Sequence, residues 1–275
     1  MSMPEGADLL FWLWLSALAA GAVNSVAGGG TLLTFPALLT ALSPLGPEAA
    51  VIANATSTVA LVPGSLAGAW GYRSEMHVAR RWILLLLAPS LLGGALGSLL
   101  VVYLKASIFN SLVPWLILIA ALLFLIQPTL AKLIGQEQHA DAPSGGTVTA
   151  VVLFQFLVAV YGGYFGAGIG ILMLSALALM GLPGVHQMNA VKTFLAFCIN
   201  GVSVVVFVVG QKVHWSYALV MAVGAILGGY LGAHVARQIR PQFVRWFIIA
   251  VGLGLAAIIF YKQFAGTGPD AATNL

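Results

Sequence analysis

The sequence predicts an all-α integral membrane protein, and three observations carry this prediction. Of the 275 residues, 61% are hydrophobic and only 7% are charged, whereas a soluble domain carries about 25% charged residues. The mean hydropathy is +1.03. Long apolar segments follow one another along the whole chain, and two of the breaks between them are rich in glycine, which weakens a helix interior by about 1 kcal/mol relative to alanine.

Ten apolar segments are predicted to be helical. They are residues 9–23, 31–42, 49–70, 82–104, 108–126, 148–165, 170–182, 188–209, 215–236 and 243–261. A helix needs about 20 apolar residues to span a bilayer. Four segments are short or marginal by this criterion, and they form two adjacent pairs (9–23 with 31–42, and 148–165 with 170–182), each divided by a glycine-rich break.

The second half of the sequence repeats features of the first half in the same order. A shift of 140 residues places VAGGGTLL (26–33) over GAGIGILM (166–173), and a shift of 135 places LLGGALGS (91–98) over ILGGYLGA (226–233). We therefore predict two repeats, at residues 9–127 and 148–262. A terminal tail (1–8), a polar linker (128–147) and a second tail (263–275) complete the chain. Glycines spaced four apart, such as Gly93 and Gly97, are expected to let helix backbones pack closely.

The distribution of basic residues selects a topology, because lysine and arginine favour cytoplasmic loops. Eight simple crossings, in either orientation, distribute the charges poorly. If each broken pair is instead a re-entrant hairpin, seven basic residues lie inside and three lie outside. The inside set is Arg73, Arg80, Arg81, Lys132, Arg237, Arg240 and Arg245, and the outside set is Lys105, Lys212 and Lys262. Each repeat then has one hairpin and three transmembrane helices, so the second repeat is inverted and the N-terminus lies outside.

The glycine-rich breaks are predicted to be hairpin tips that line a polar cavity, because non-helical backbone survives at membrane depth only inside protein or beside water. The helices that start after Gly30 and Gly170 would direct their N-termini, which favour anions, at a substrate. The alternative is that the glycines serve only tight packing. The predicted binding residues at the tips are Asn24, Ser25, Gly28, Gly29, Gly30, Thr31, Gly168 and Gly170.

A lysine near the start of an apolar helix is the second indication of an anion site. All seven acids lie in loops, tails or segment edges, which argues against a carboxylate site for a cation or a proton at membrane depth. Lys192 lies within an apolar helix and could bind the anion, or its side chain could extend to the membrane interface. The residues Asn54, Ser57, Asn189 and Thr193 could donate hydrogen bonds to an oxyanion, or satisfy helix carbonyls instead.

Several functional classes lack the residues that they need. No nucleotide-binding motif, metal-ligand spacing or catalytic arrangement at membrane depth is visible, and no basic cluster is typical of nucleic-acid binding. We therefore expect no enzyme activity, no cofactor and no nucleic-acid partner. The expected partners are a small anion and the lipid bilayer, and a homodimer is an open alternative.

These motifs resemble those of the TauE/SafE family of sulfite exporters. The resemblance is carried by GAVNSVAGGGTLLTFPALL (21–39), ANATSTVALVPGSLAGAWGY (53–72), YGGYFGAGIGILMLSAL (161–177) and the LLGGALGS sequence with its counterpart, and it covers residues 9–261. It implies a transporter of the cell inner membrane for small sulfur-containing anions such as sulfite. We thus predict a secondary transporter that exports such an oxyanion by alternating access. The alternatives are an anion channel and a carrier of the same fold that imports thiosulfate or sulfonates.

Overall fold

A computed structural model describes residues 6–26, 29–71, 73–136, 145–178, 185–235 and 241–264. These residues form eleven α-helices and one 3₁₀ segment (Ser43–Glu48). The helices are α1 (Ala7–Val26), α2 (Thr31–Ala41), α3 (Ala49–Gly71), α4 (Arg73–Val78), α5 (Arg80–Tyr103), α6 (Ala106–Gln136), α7 (Gly145–Tyr164), α8 (Ile169–Ala178), α9 (Val185–Val209), α10 (Trp215–Val235) and α11 (Pro241–Phe264). The predicted all-α membrane architecture is confirmed, and six helices in this described part of the chain are long and apolar enough to cross a membrane.

Each of the ten predicted segments coincides with one helix, but two predicted lengths are wrong. Helices α1 and α7 each have 20 residues and are long enough to span a bilayer, whereas α2 and α8 have only 11 and 10. Helix α1 continues through Asn24 because the Nδ2 atom of Asn24 donates a hydrogen bond to Ser65 Oγ at 3.3 Å. Helix α6 extends to Gln136, and therefore into the predicted polar linker, of which residues 137–144 lie outside the described residues.

The chain reverses its direction between α1 and α2. A Cβ atom built on Gly30 would lie 2.8 Å from the carbonyl oxygen of Ala20, in the middle of α1. Farther along α2, Thr34 bonds to Ser57 at 2.6 Å, and Asn24 near the end of α1 bonds to Ser65. These contacts place α1 and α3 parallel to each other, with the short helix α2 antiparallel to both.

A second reversal separates α7 from α8. The hydroxyl group of Tyr161 donates to the carbonyl oxygen of Ala167 at 2.7 Å, which folds the connection back onto the end of α7. Gly166 and Gly168 have φ angles of +82° and +79°, a conformation that residues with a Cβ atom rarely adopt. Glycine is therefore required in this turn for conformational reasons, whatever its role in binding.

The two halves of the chain pack against each other through helices that come into backbone contact. Helix α1 packs along α10, where Gly228 meets the Leu18 carbonyl and Gly224 meets the Trp14 carbonyl. Helix α5 packs along α7 in the same way, with Gly93 against the Phe156 carbonyl. The predicted packing role of the spaced glycines is confirmed at these positions. Helices α3 and α9 meet in the centre, and α6 pairs with α11.

Helix directions follow from these contacts. Asn110, near the start of α6, donates to the Pro47 carbonyl just before α3, so α6 begins at the end of the bundle where α3 begins. Helix α11 runs antiparallel to α6, because Trp115 contacts Phe260 and Gly252 contacts Ala121. Helices α1, α3, α6 and α10 thus run one way, and α5, α7, α9 and α11 run the other way.

The two ends of the bundle differ in charge. We call the end where α3 ends and α5 and α11 begin the basic end; it carries Arg73, Arg80, Arg81, Arg245 and Glu75, and Lys132 lies near the end of α6 on the same side. At the opposite end, the charged residues of the described helices and connections are Asp8, Glu48, Lys105, Lys212 and Lys262.

Candidate functional site

The two breaks in the chain lie against the same turn of α6. A Cβ atom built on Gly29, in the first break, would lie 2.5 Å from Cζ of Phe124. A Cβ atom built on Gly168, in the second break, would lie 3.5 Å from Cδ1 of the adjacent residue Leu123. The rings of Phe35 and Phe165 also pack edge to face at 5.4 Å between centroids. The structure therefore brings the two predicted tips together in the interior of the bundle.

The first tip leads into a buried chain of hydroxyl groups. Thr34 Oγ1 donates to the Gly30 carbonyl at 3.3 Å and lies 2.6 Å from Ser57 Oγ. Because the one hydroxyl proton of Thr34 is used on Gly30, Ser57 is the donor to Thr34. Both side chains are fully buried. Ser57 therefore braces the start of α2 in this conformation, and Thr31 is half-buried at the first position of that helix.

Asn54 ties α3 to the second tip. Its Nδ2 atom donates to the Tyr164 carbonyl, the last residue of α7, at 3.0 Å. Its Oδ1 atom is buried and has no hydrogen-bond partner among the described residues. The hydroxyl oxygen of Tyr164 is also buried and also lacks such a partner. A buried acceptor without a hydrogen bond costs free energy. Asn54 therefore keeps an oxygen close to the second break that could accept a hydrogen bond.

Lys192 lies beside the N-terminus of α8. Its Cδ atom is 3.2 Å from the Cβ position of Gly170, so the lysine stem occupies space that a larger residue at 170 would fill. The side chain is half-buried and has no hydrogen bond or ion pair within the described part of the chain. Asn189 and Thr193 are also half-buried, three residues before Lys192 and one after it.

The charged groups around Gly170 are expected to give this region a positive electrostatic potential. The acids that the structure describes, Asp8, Glu48 and Glu75, lie at the ends of the bundle. Lys192 and the N-terminal dipole of α8 therefore meet in the interior without a nearby carboxylate, and both favour an anion.

Other predicted site residues have structural partners or cannot be placed. The amide of Asn24 is engaged with Ser65. The Gly30 carbonyl accepts from the backbone of Leu33 and Thr34 and so starts α2. Gly28 and the side chain of Ser25 lie outside the described residues.

Sequence reasoning missed Thr34, Phe124 and Tyr164. The hydrogen bonds of Thr34 to Ser57 and of Tyr164 to Asn54 join residues 23 and 110 positions apart. Phe124 lies in an apolar pattern that is typical of any membrane helix. Only the polarity of Thr34, four residues after Gly30, offered a signal.

Comparison with known proteins fits this architecture. Residues 13–259 match the family model described as "Sulfite exporter TauE/SafE".

The chain belongs to the TauE/SafE family.

Curated relatives share nearly its whole length. A "Probable membrane transporter protein" of Haemophilus influenzae is 31% identical over 267 residues, which cover 95% of this chain and 98% of the relative. The "Probable membrane transporter protein YfcA" of Escherichia coli K12 is 30% identical over 260 residues, covering 93% and 91%. A "Probable membrane transporter protein ORF9" of a Sinorhizobium species is 30% identical over 254 residues, covering 90% and 91%. No solved structure matches significantly.

This TauE/SafE protein is thus a multi-pass membrane protein of a transporter family, which implies a small-molecule substrate and a lipid environment. Within the described residues, no three His, Cys, Asp or Glu side chains are grouped closely enough to hold a metal ion.

The connection between α9 and α10 packs against the start of α3 at the opposite end of the bundle. The backbone N–H of His214 donates to Thr56 Oγ1 at 3.0 Å, and Thr56 is buried beside Ser57. Lys212 forms a 2.8 Å ion pair with Glu48 in the 3₁₀ segment. The His214 ring stacks on Tyr217 with 4.0 Å between centroids. These contacts hold the connection over the start of α3.

Proposed function

We propose that this protein exports a small sulfur-containing oxyanion, such as sulfite or a related organosulfur anion, across the bacterial inner membrane by alternating access. The observation that carries the proposal is the half-buried side chain of Lys192. Its Cδ atom lies 3.2 Å from the Cβ position of Gly170 at the start of α8, and its ammonium group has no ion-pair or hydrogen-bond partner among the described residues. A cation within a membrane segment is expensive and usually marks a functional site. An anionic substrate supplies the missing partner.

The oxyanion needs hydrogen-bond donors as well as charge. In the proposed site, the N-terminal dipoles of α8 and α2 act from the two tips. In this conformation the N–H groups of Leu32, Leu33 and Ile171 donate to the carbonyls of Gly29, Gly30 and Gly168. Asn189 and Thr193 supply side-chain donors on the Lys192 helix. We propose the remaining sequence-predicted residues as contacts only when the tips separate, because Asn54 and Ser57 are buried and engaged in this conformation.

Alternating access is supported by the pairing of helices across the two halves. In the predicted repeats, α1 corresponds to α7, α3 to α9, α5 to α10 and α6 to α11. The contact of α1 with α10 therefore corresponds to the contact of α7 with α5, and the α3–α9 and α6–α11 contacts each join a helix to its own counterpart. Corresponding helices run in opposite directions. We therefore propose that the repeats are inverted, the plan on which many secondary transporters are built.

Orientation follows from charge. The basic end carries four described arginines, so we propose that it faces the cytoplasm and that the N-terminus, at the opposite end, lies outside. The contacts of Lys212 and His214 would then form the outer closure, which favours a carrier over an open channel. Export of a divalent anion gains roughly 2.3 kcal/mol per charge for each 100 mV of inside-negative potential.

Counterflow of radiolabelled sulfite in proteoliposomes tests the transport proposal. A carrier preloaded with unlabelled sulfite should accumulate label transiently and saturate, whereas a channel would only equilibrate it. Thiosulfate and a small sulfonate should be compared as competitors. Counterflow with thiosulfate but not sulfite would replace the proposed substrate. Absence of counterflow with any of the three anions would refute the carrier. A homodimer stays a prediction, to be tested by the mass of the protein–detergent complex.

A further inference from the structure

We propose that the basic end binds the phosphate groups of anionic phospholipids through three arginine–tryptophan pairs. The pairs are Arg73 with Trp70, Arg81 with Trp82, and Arg245 with Trp246. This inference requires only that the protein lies in a bilayer, and it does not depend on the transported substrate.

The three pairs share one geometry. The guanidinium carbon lies over the indole ring at 5.4 Å from the centroid for Arg73, 5.5 Å for Arg81 and 5.7 Å for Arg245. These distances are within the range of a cation–π interaction. The same arrangement therefore occurs at the end of α3, the start of α5 and the start of α11.

The position of the tryptophans fixes the depth of the pairs. Trp70 is 69% exposed and Trp246 is 55% exposed, on helices whose apolar parts end within a few residues, whereas Trp82 is half-buried against the core. Tryptophan favours the boundary between hydrocarbon and headgroups. We therefore place the guanidinium groups of Arg73 and Arg245 at the level of the lipid phosphates, and that of Arg81, which is exposed at the start of α5, beside them.

The charge of these arginines is not consumed within the described protein. Arg73 donates to the Trp70 carbonyl at 3.2 Å, and none of the three arginines forms an ion pair with a described carboxylate. The guanidinium groups are thus free to bind a phosphate oxygen pair, for which the arginine fork is well shaped.

The opposite end carries less positive charge in the described part of the chain. Asp8 and Glu48 offset two of its three lysines, and Lys212 is already paired with Glu48. Lys105 is exposed there and provides a matched control, since its neutralisation removes one positive charge without touching an arginine–tryptophan pair.

The test is electron spin resonance of the full-length protein in bilayers that contain spin-labelled phosphatidylglycerol or phosphatidylcholine. The ratio of their association constants at the protein surface measures the preference for the anionic lipid. The triple variant Arg73→Gln, Arg81→Gln, Arg245→Gln should lower this ratio by up to about fivefold for each arginine replaced. Lys105→Gln should leave it nearly unchanged.

Two further measurements keep the proposal testable if the triple variant folds poorly. The wild-type preference should fall when the salt concentration is raised to 1 M. Arg→Lys replacement at the same three positions should keep only part of it, because lysine keeps the charge but not the planar fork. A wild-type ratio near one would overturn the proposal. The proposal would also be overturned if the logarithm of the ratio fell in the triple variant by no more than three times its fall in Lys105→Gln, because net charge rather than the pairs would then attract the lipid.

Discussion

The close packing of α1 on α10 makes Gly224→Ala a sharp test of how the two halves are joined. The added Cβ atom would lie 2.5 Å from the Trp14 carbonyl oxygen and 3.2 Å from the Leu18 nitrogen. Ordinary contact begins at 3.4 Å, so the helices must separate by about 0.9 Å or the neighbouring backbone must shift. Overpacking of this kind costs about 1–3 kcal/mol.

The matched control is Gly254→Ala in α11. No atom lies within 4 Å of its Cβ position, so only the helix-propensity gain of about 1 kcal/mol remains. Both variants share that gain, and the difference between them isolates the clash. Unfolding of the purified protein from mild detergent into sodium dodecyl sulfate measures it.

We expect Gly224→Ala to be less stable than Gly254→Ala by about 1–3 kcal/mol. We expect the same difference between Gly93→Ala and Gly201→Ala. A Cβ atom on Gly93 would lie 2.5 Å from the Phe156 carbonyl oxygen, so this variant should be the less stable of the two, whereas Gly201 has open space. Equal stabilities within each pair would refute the described packing between the halves.

Three other predictions concern the site, its closure and its orientation. Thr34→Val keeps the shape but leaves a buried serine without its partner, so stability should fall by about 1–2 kcal/mol; the thermal midpoint checks this, and an unchanged midpoint would contradict the hydroxyl chain. Glu48→Gln breaks a partly exposed ion pair with Lys212, so stability should change by less than about 1 kcal/mol while sulfite exchange becomes faster; slower or unchanged exchange would argue against an outer closure. With the native cysteine removed, Lys105→Cys should react with an impermeant maleimide on intact cells and Arg80→Cys only after permeabilisation; the reverse pattern would invert the proposed orientation.

The helices and the breaks could be predicted from the sequence because both are encoded locally. Apolar length marks a membrane helix, and clustered glycines mark where one stops. The packing glycines, such as Gly93 and Gly228, were also predictable from their spacing, since small residues four apart create a smooth helix surface.

Features that depend on distant partners could not be predicted. Helix α1 was expected to end at residue 23 because an asparagine and a serine follow. The structure continues it because Ser65, 41 residues away, receives the Asn24 hydrogen bond. The attachment of Asn54 to the Tyr164 carbonyl spans 110 residues, and no local pattern indicates it.

Part of the candidate site could be predicted from the sequence, and part of it depends on distant partners. Lys192 can be identified from the sequence because charge is rare in apolar helices, and the structure places its stem beside Gly170. The shift of 135 residues aligns Lys192 with Ser57, whose hydroxyl group is engaged with Thr34. The two halves are therefore not chemically equivalent, and the positive charge lies on one side of the centre only.

Sulfite flux through Lys192 variants tests the central claim most directly. Proteoliposomes with equal amounts of correctly inserted protein would carry the wild type, Lys192→Ala, Lys192→Arg and the control Lys105→Ala. We expect Lys192→Ala to lose most saturable sulfite flux, Lys192→Arg to keep more of it, and Lys105→Ala to resemble the wild type. Undiminished flux in Lys192→Ala, beside an active wild type, would contradict the claim that this lysine binds the transported anion.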